Sequence, residues 1–311
     1  MNEADFVRFL TATFPFTRGK GIGDDTSVVK CGHEYQLVTK DILIENIHFK
    51  LGDFTLGELA LKSLAVNLSD IAAMGGEPQY FYLGLGFPGE IAGEKTVDFF
   101  KGLEKGCRQW QVELAGGDFS RSPLMVISIT LVGKAVTPVY RSGARTGDLV
   151  GITGITGESA VGLKLLLSGV KTGYFVEKHK QVNPEIARGQ ILARYVNAMI
   201  DLSDGLLMDL NRILTASGKG ARLFYEKLPV TPGIKKICRE RGWNEHEIVL
   251  AGGEDYVLLF TLSRENELKL RKEKIEYYII GEITGSSGSL KVEDRGKPVS
   301  VDHSGYDHFV I

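Results

Sequence analysis

The sequence predicts a mixed α/β protein of the α+β type that folds into two domains. The chain has 311 residues, which exceeds the usual size of one hydrophobic core. Segments with the two-residue period of strands alternate with segments of helical spacing in both halves. Residues 137–148 lack periodicity and are rich in Pro, Gly and charge, as linkers are. We therefore place a boundary near Val139, which gives domains at 1–138 and 139–311.

The strongest helix signal lies at residues 56–74, where apolar residues recur at helical spacing. Gly75 and Gly76, with Pro78 beyond them, predict the end of this helix. An N-terminal helix is expected before it, and a second amphipathic helix around 96–110. Strands of the first half are expected at 27–30, 35–44, 80–87 and 124–132. In the second half we expect strands at 148–153, 221–225, 256–262 and 276–281, and helices at 158–167, 185–197 and 204–216.

Composition and charge exclude several classes of protein. A net charge of -2 provides no general basic field, so nucleic acid is not expected as a partner. The N-terminus does not resemble a signal peptide, and the apolar runs fall short of the ~20 residues that a membrane span needs. Cys31, Cys107 and Cys238 are far apart and show no metal-binding or redox spacing. We therefore expect a soluble cytoplasmic protein with reduced thiols and no membrane partner.

Acidic residues that follow Gly or Ser recur at the ends of predicted elements. They are Asp24, Asp25, Asp70, Asp118, Asp201, Asp204, Glu254 and Asp255. Each alone is explained by the turn and helix-cap preferences of Asp. Asp41 and Asp70, however, lie in apolar stretches, where a lone carboxylate is costly to bury unless a cation meets it. Mg²⁺ fits such a site because it prefers oxygen ligands and phosphates, whereas zinc fits poorly because neither cysteines nor histidines cluster.

Charge balance links these acids to a phosphate substrate and to more than one cation. Two unit charges of the same sign 4 Å apart repel by about 4 kcal/mol at an effective dielectric constant near 20. Several aspartates around ATP therefore require several Mg²⁺ ions that bridge the phosphate oxygens. A Walker loop is absent, and the G-x-G-x-x-G match at Gly84, Gly86 and Gly89 is better explained as a strand and turn.

Eight phrases of the sequence, taken in order, resemble the thiamine-monophosphate kinase family. They are GIGDDTSVV, TKDILIENIHF, LALKSLAVNLSDIAAMGGEP, LAGGDFS, RSGARTGD, MIDLSDGLLMDL, GGEDYVLLFT and GYDHF, and they span residues 21 to 309. This family is grouped with the aminoimidazole ribonucleotide synthetase-like enzymes. The resemblance implies two α/β domains, ATP binding without a Walker loop, and a homodimer formed through the mixed N-terminal sheets.

The resemblance also implies roles for particular residues. The implied metal ligands are Asp25, Thr39, Asp41, Asp70, Asp118, Asp201 and Asp204, with Lys40 through its backbone carbonyl only. The implied ATP contacts are Gly117, Asp118, Arg141 and Ser203. The implied contacts to thiamine monophosphate are His48, Glu254 and Tyr306. Without the resemblance, His48 would be read as a surface histidine and Tyr306 as a C-terminal core residue.

The implied reaction transfers a phosphoryl group from ATP to thiamine monophosphate. The second pKa of a phosphate monoester is near 6, so the acceptor is mostly a dianion at pH 7 and no general base is needed. Asp41, Asp118 and Arg141 are expected to catalyse this reaction by positioning and electrostatics.

Two alternatives remain open at this point. The first is another enzyme of the superfamily, such as a cyclo-ligase or a selenophosphate synthetase. The latter usually needs a reactive residue near its N-terminus, and no cysteine precedes Cys31. The second is a non-catalytic sensor that binds metal or nucleotide and forms no product.

Overall fold

The structure, a computed structural model, describes residues 3–306 and residue 308. The strands are β1 Gly19–Lys20, β2 Ser27–Cys31, β3 Glu34–Ile44, β4 Glu77–Phe87, β5 Glu113–Arg121, β6 Val126–Ala135, β7 Leu149–Ile152, β8 Ala198–Asp201, β9 Gly220–Phe224, β10 Leu258–Leu262, β11 Tyr278–Thr284, β12 Leu290–Asp294 and β13 Lys297–Val299. The α-helices are α1 Glu3–Thr13, α2 Leu56–Ala73, α3 Glu94–Trp110, α4 Glu158–Leu167, α5 Tyr174–Lys180, α6 Ile186–Leu192, α7 Leu206–Ser217, α8 Pro232–Arg241, α9 Glu245–Ala251 and α10 Arg264–Leu270.

The first half forms a six-stranded mixed sheet. Its strand order is β1-β2-β3-β6-β4-β5, and only the edge pair β4 and β5 is parallel. Because alternate residues of a strand point to opposite faces, one face collects the apolar side chains that pack under α2 and α3. The other face is uncovered in the single chain, and Ile42 and Tyr82 are 48% and 46% exposed there.

Helix α2 connects the two halves of the molecule. Thr55 and Glu58 form a capping box at its start, and Gly75 at φ 67° follows its end. Thirteen of its eighteen residues are buried, because it packs on the first sheet along one face and on α6 and β8 along another. Ala72 and Ala73 share a hydrophobic cluster with Met199 and Phe260 of the second half. Residues of α2 can therefore meet side chains from both sheets.

The second half is built on a seven-stranded mixed sheet. Its strand order is β13-β12-β9-β11-β7-β10-β8, with only β9 and β12 parallel. The larger hydrophobic cluster lies between this sheet and the helices that include α4, α7 and α9. The short strand β8 is wholly buried and ends at Asp201. A chain segment that contains Asp204 follows it directly and leads into α7.

The predicted α+β class and the two-sheet architecture are confirmed, and the boundary at residue 139 stays a prediction. Most predicted elements are present, but the expected helix 185–197 ends at Leu192 and the expected strand 256–262 begins at Leu258. Strand β5 was not predicted, because it is an exposed edge strand without alternating burial. No helix of the described residues is long and apolar enough to cross a lipid bilayer.

Candidate active site

Three carboxylates from separate parts of the chain meet between the two halves. Asp25 precedes β2, Asp70 lies in the last turns of α2, and Asp201 ends β8. One oxygen atom of each lies within 4.8 Å of the corresponding oxygens of the other two. Asp25 and Asp201 are buried, and Asp70 is partly buried. The segment before β2, the connecting helix and the end of β8 thus each contribute one acid to a single site.

Hydroxyl and amide groups near the end of α2 hold this arrangement. The Ser69 hydroxyl donates a hydrogen bond to Asp201 Oδ2 at 2.6 Å, and the Thr39 hydroxyl donates to Asp70 Oδ2. The Asn67 side-chain oxygen accepts a hydrogen bond from the Asp41 backbone N–H at 3.1 Å. One turn of helix α2 is therefore hydrogen-bonded both to Thr39 and Asp41 of β3 and to Asp201 at the end of β8.

The electrostatics of the cluster call for a cation. Burial, followed by the charges of neighbouring acids, raises the pKa of Asp70 and Asp201 well above the ordinary value. The same causes raise the pKa of Asp41 to about 6, with Asp204 as its strongest charged neighbour. Crowded carboxylates of this kind are stabilised by an opposite charge.

The donor set fits a hard divalent ion such as Mg²⁺. The site offers carboxylate oxygens from three residues, and oxygen is the ligand atom that Mg²⁺ prefers. Asp25 Oδ2 is also buried and accepts no hydrogen bond from the described part of the chain. A buried carboxylate oxygen that has no hydrogen-bond partner and belongs to such a cluster is a candidate metal ligand.

Arg141 provides the positive charge nearest to the cluster. Its guanidinium donates two hydrogen bonds to Asp25 Oδ1, at 2.6 and 3.2 Å, and its backbone N–H donates to Asp24 at 2.6 Å. Burial lowers the pKa of Arg141, but the adjacent Asp25 raises it overall, so the group stays charged. Part of the side chain remains exposed, which leaves room for contact with a ligand anion.

Asp204 lies beside the cluster and is held by two residues that the sequence analysis missed. Arg212 forms a 2.6 Å ion pair with Asp204. Asp209, which is fully buried, accepts the backbone N–H groups of Asp204 and Gly205 at 3.1 Å each. The available signal was an Asp in the first turn of α7 with an Arg three residues later, a spacing that brings two side chains together on a helix.

Lys40 lies apart from the acids although it is their neighbour in sequence. Its ammonium donates hydrogen bonds to Ser128 at 2.8 Å and Thr130 at 3.2 Å on the uncovered face of the first sheet. Thr39 contacts Asp70 on the opposite face, the one that α2 covers. The Lys40 side chain therefore does not approach the acidic cluster.

Gly117 and Asp118 are not brought to the cluster within the single chain. They lie in the edge strand β5, which is separated from the Asp41 strand β3 by β4 and β6. Three strand spacings amount to about 14 Å. Asp118 pairs with Gly84 of β4, and Gly84 pairs with Ser128 of β6. Because directly paired residues point to the same face of a sheet, the Asp118 side chain lies on the uncovered face with Ser128. Ser203, by contrast, lies between Asp201 and Asp204.

A second group of candidate site residues consists of His48, Tyr306 and His308, with Glu254 near His48. The His48 and His308 rings are 5.0 Å apart, and the Tyr306 and His308 rings are 4.9 Å apart in an edge-to-face arrangement. His48 Nδ1 accepts the Ile44 N–H, and burial lowers the pKa of His48, so the ring is neutral at pH 7. The negative charge of Glu254 acts in the opposite direction and raises the pKa of His48, which indicates that the two side chains are near each other.

The C-terminal segment and the Glu254 segment both attach to the acidic loop after β8. The Tyr306 N–H donates to the Asp204 carbonyl at 3.1 Å, and the Glu254 N–H donates to the Ser203 carbonyl at 2.7 Å. The aromatic group and the acidic cluster are thus parts of one site. Asp307 and Phe309 of the GYDHF phrase lie outside the described residues.

The contacts of Glu254 with Lys62 and His179 were also missed from the sequence. Lys62 Nζ lies 3.1 Å from Glu254 Oε2, and His179 Nδ1 lies 3.2 Å from the same oxygen. The available signal for Lys62 was a lysine within a long apolar helix, where a charge needs a partner. His179 carried no comparable signal.

Comparisons with known proteins assign this architecture to a family. The family model of the AIR synthase related protein N-terminal domain matches residues 23–135, and that of the C-terminal domain matches residues 146–293. The thiamine-monophosphate kinase of Buchnera aphidicola subsp. Schizaphis graminum (strain Sg) is 37% identical over 306 residues, which cover 94% of this chain and 93% of that protein. The thiamine-monophosphate kinase of Bacillus subtilis (strain 168) is 33% identical over an alignment of 332 positions, which covers 99% of this chain and 100% of that protein.

Solved structures agree with the sequence relatives. The structure of AaThiL complexed with AMPPCP and TMP matches this chain with a TM-score of 0.89 and 32% identity, covering 99% of this chain and 97% of that one. The thiamine monophosphate kinase of Aquifex aeolicus matches with a TM-score of 0.83 and 29% identity, covering 96% and 99%. The chain therefore belongs to the thiamine-monophosphate kinase family, within the AIR synthase related proteins, and it is a kinase.

Proposed function

We propose that this kinase transfers the γ-phosphoryl group of ATP to thiamine monophosphate, directly and in line, with several Mg²⁺ ions held by its aspartates. The observation that carries the proposal is the cluster of Asp25, Asp70 and Asp201, which is largely buried and joins both halves beside Arg141. AaThiL, at 32% identity, has been crystallised with AMPPCP and TMP. The relatives named thiamine-monophosphate kinase cover nearly the whole chain.

The reaction needs positioning more than proton transfer. A phosphate oxygen of the acceptor forms a bond to the γ-phosphorus while the bond to the β,γ-bridging oxygen breaks, giving thiamine diphosphate and ADP. The acceptor is mostly a dianion at pH 7, so no base is required. When bound, Mg²⁺ supplies positive charge that offsets the phosphate oxygens. We expect Arg141 to contact the same oxygens, because its guanidinium lies at the edge of the acidic cluster, 2.6 Å from Asp25.

The residues around Glu254 suit the acceptor. Thiamine carries a cationic heteroaromatic ring, which aromatic faces and a carboxylate bind favourably. His48, Tyr306 and His308 supply the rings, and Glu254 supplies the charge. Because Tyr306 and Glu254 are hydrogen-bonded to the Ser203–Asp204 backbone, a ring bound there places its phosphate on the side of the acidic cluster.

The proposal predicts a defined product. Purified protein incubated with ATP, Mg²⁺ and thiamine monophosphate is expected to form equimolar ADP and thiamine diphosphate, as measured by mass spectrometry. Unphosphorylated thiamine is the matched control and should give no product, because it lacks the acceptor phosphate. Absence of thiamine diphosphate under conditions in which a thiamine-monophosphate kinase relative is active would contradict the proposed acceptor.

The metal-centred mechanism predicts the effect of removing one carboxylate charge. Asp41→Asn keeps the side-chain shape and is expected to lower kcat by about 100-fold or more. The Mg²⁺ concentration needed for half-maximal rate should also rise. Glu240→Gln, at an exposed acid of α8 far along the chain from the cluster, is the control and should leave both values unchanged. A normal rate and a normal Mg²⁺ dependence for Asp41→Asn would exclude this mechanism.

The uncovered face of the first sheet supports a homodimer. Ile42 and Tyr82 are about half exposed on it, beside the polar side chains of Lys40, Ser128 and Thr130. Exposed apolar side chains on an uncovered sheet face are typical of a protein interface. Two copies that close their sheets into a barrel set the β5 edge of one beside the β1-β2-β3 side of the other. That pairing brings Asp118 of one copy toward the Asp25 and Asp41 region of its partner.

Mixed dimers test this completion of the site by a second copy. Asp41→Asn and Asp118→Asn are each expected to be nearly inactive alone. Co-expressed at equal levels, they should recover about one quarter of the wild-type activity, because half of the dimers are mixed and each has one intact site. Sedimentation should give a dimer. A monomer, or no recovery in isolated mixed dimers, would contradict the shared site.

A further inference from the structure

Lys62 is a charged residue in the interior of the molecule. It lies in the middle of α2 and is only 2% exposed. A buried ammonium is costly unless hydrogen bonds and an opposite charge compensate it. Its Nζ donates to the His179 carbonyl at 2.7 Å and to Glu254 Oε2 at 3.1 Å, and it lies 5.5 Å from the centre of the Phe54 ring. A helix of the first half is thereby linked to two segments of the second half.

These contacts restrain one oxygen of Glu254. Lys62 Nζ and His179 Nδ1 both lie close to Oε2 of Glu254, and the Glu254 side chain is 28% exposed. Oε1 is therefore the oxygen available to a ligand. Glu254 also has a left-handed backbone at φ 64°, which is uncommon for a residue other than glycine. Strained conformations of this kind persist where the surrounding structure fixes them, and they are concentrated at functional sites.

The charges in this group favour an ionised Glu254. Burial raises the pKa of Glu254, but the charge and hydrogen bond of Lys62, together with the two nearby histidines, lower it by more, so its pKa lies below the ordinary value. Burial, followed by the Lys62 charge, lowers the pKa of His179 to about 4, so the imidazole is neutral at pH 7. Lys62 is therefore the cation that keeps Glu254 charged, and His179 adds a neutral hydrogen-bonding partner.

We infer that Lys62 is a positioning residue for the acceptor: its ammonium holds the Glu254 carboxylate so that Oε1 faces the bound heteroaromatic ring. This role rests on the proposed function, because the acceptor is the ligand that Glu254 would meet. A purely structural alternative exists, in which Lys62 only joins α2 to the second half. The two roles predict different changes in the KM values. Loss of a positioning residue raises the KM for the acceptor alone, whereas loss of a purely structural link affects the KM values for the acceptor and ATP alike.

Lys180 provides a matched control. Its Nζ also lies 5.5 Å from the centre of the Phe54 ring, its side chain is only 10% exposed, and it pairs with Glu58 of α2 at 3.6 Å. It thus links the same helix to the same segment of the second half as Lys62 does. Its ion pair is made with Glu58, however, and leaves Glu254 untouched. Replacing Lys180 removes a comparable inter-half cation without disturbing the acceptor carboxylate.

The experiment compares Lys62→Met, Lys180→Met and Glu254→Gln with the wild-type protein. KM for thiamine monophosphate, KM for ATP and kcat are measured for variants whose thermal unfolding shows that they are folded. Lys62→Met is expected to raise the acceptor KM by roughly 10- to 100-fold while the ATP KM changes less than threefold. Glu254→Gln should likewise raise the acceptor KM with little change in the ATP KM. The acceptor KM of the Lys62→Met/Glu254→Gln double variant should be no higher than that of Glu254→Gln alone. Lys180→Met should leave the acceptor KM near the wild-type value.

Equal changes in both KM values for Lys62→Met would overturn the inference, as would an effect of Lys180→Met on the acceptor KM of the same size. Additive effects in the double variant would do the same, because Lys62 would then act independently of Glu254. If Lys62→Met does not fold, Lys62→Gln, which keeps a hydrogen-bond donor, must show the acceptor-specific split. Wild-type protein that makes no thiamine diphosphate would refute the proposed function itself, whereas active wild type with an unaffected acceptor KM refutes only the role of Lys62.

Discussion

Mutual repulsion among buried carboxylates is the constraint on which the arrangement of the two halves depends. Asp25, Asp70 and Asp201 come from three separate elements, yet one oxygen of each lies within 4.8 Å of the others. In a protein without bound ions, such a cluster opposes folding, because burial and like charge both disfavour the ionised acids. Hydrogen bonds from Ser69 and Thr39 and the ion pair with Arg141 offset only part of this cost. A cation bound between the halves would offset the remainder, so ligand binding and the joining of the halves are coupled.

Helix α2 is the element that makes this coupling possible. Because most of α2 is buried between the two halves, different turns of this helix contact different parts of the candidate site. The turn that contains Asn67 and Ser69 organises the acids, and Lys62, about two turns earlier, reaches Glu254, the carboxylate proposed to meet the acceptor. Small residues allow the second half to approach α2 closely: a Cβ at Gly189 of α6 would collide with the Ala72 carbonyl of α2. The packing between the halves, the proposed metal ligands and the proposed acceptor contact therefore all depend on one helix.

Much of the fold could be predicted from local sequence patterns, because α2 and strands β2, β3, β4 and β6 have strong periodicity. The acids of the central cluster were also among the candidates: Asp70 because a carboxylate in an apolar stretch needs an explanation, and Asp25 and Asp201 through the recurring acidic turns and the family resemblance. Contacts between distant residues could not be predicted in this way. Lys62 and Glu254 are separated by 192 positions, and no periodic pattern connects them. The role of Asp118 stays a prediction, and its position on an edge strand depends on sheet order, which periodicity does not specify.

We propose that the carboxylates of the two halves together hold divalent cations. Crystals grown with AMPPCP and Mn²⁺ in place of Mg²⁺ would test this most directly, because anomalous scattering locates manganese without reference to any assumed chemistry. We expect a strong anomalous peak within coordination distance of Asp25, Asp70 and Asp201 at once. Manganese found only elsewhere, with this cluster empty beside bound nucleotide, would contradict it.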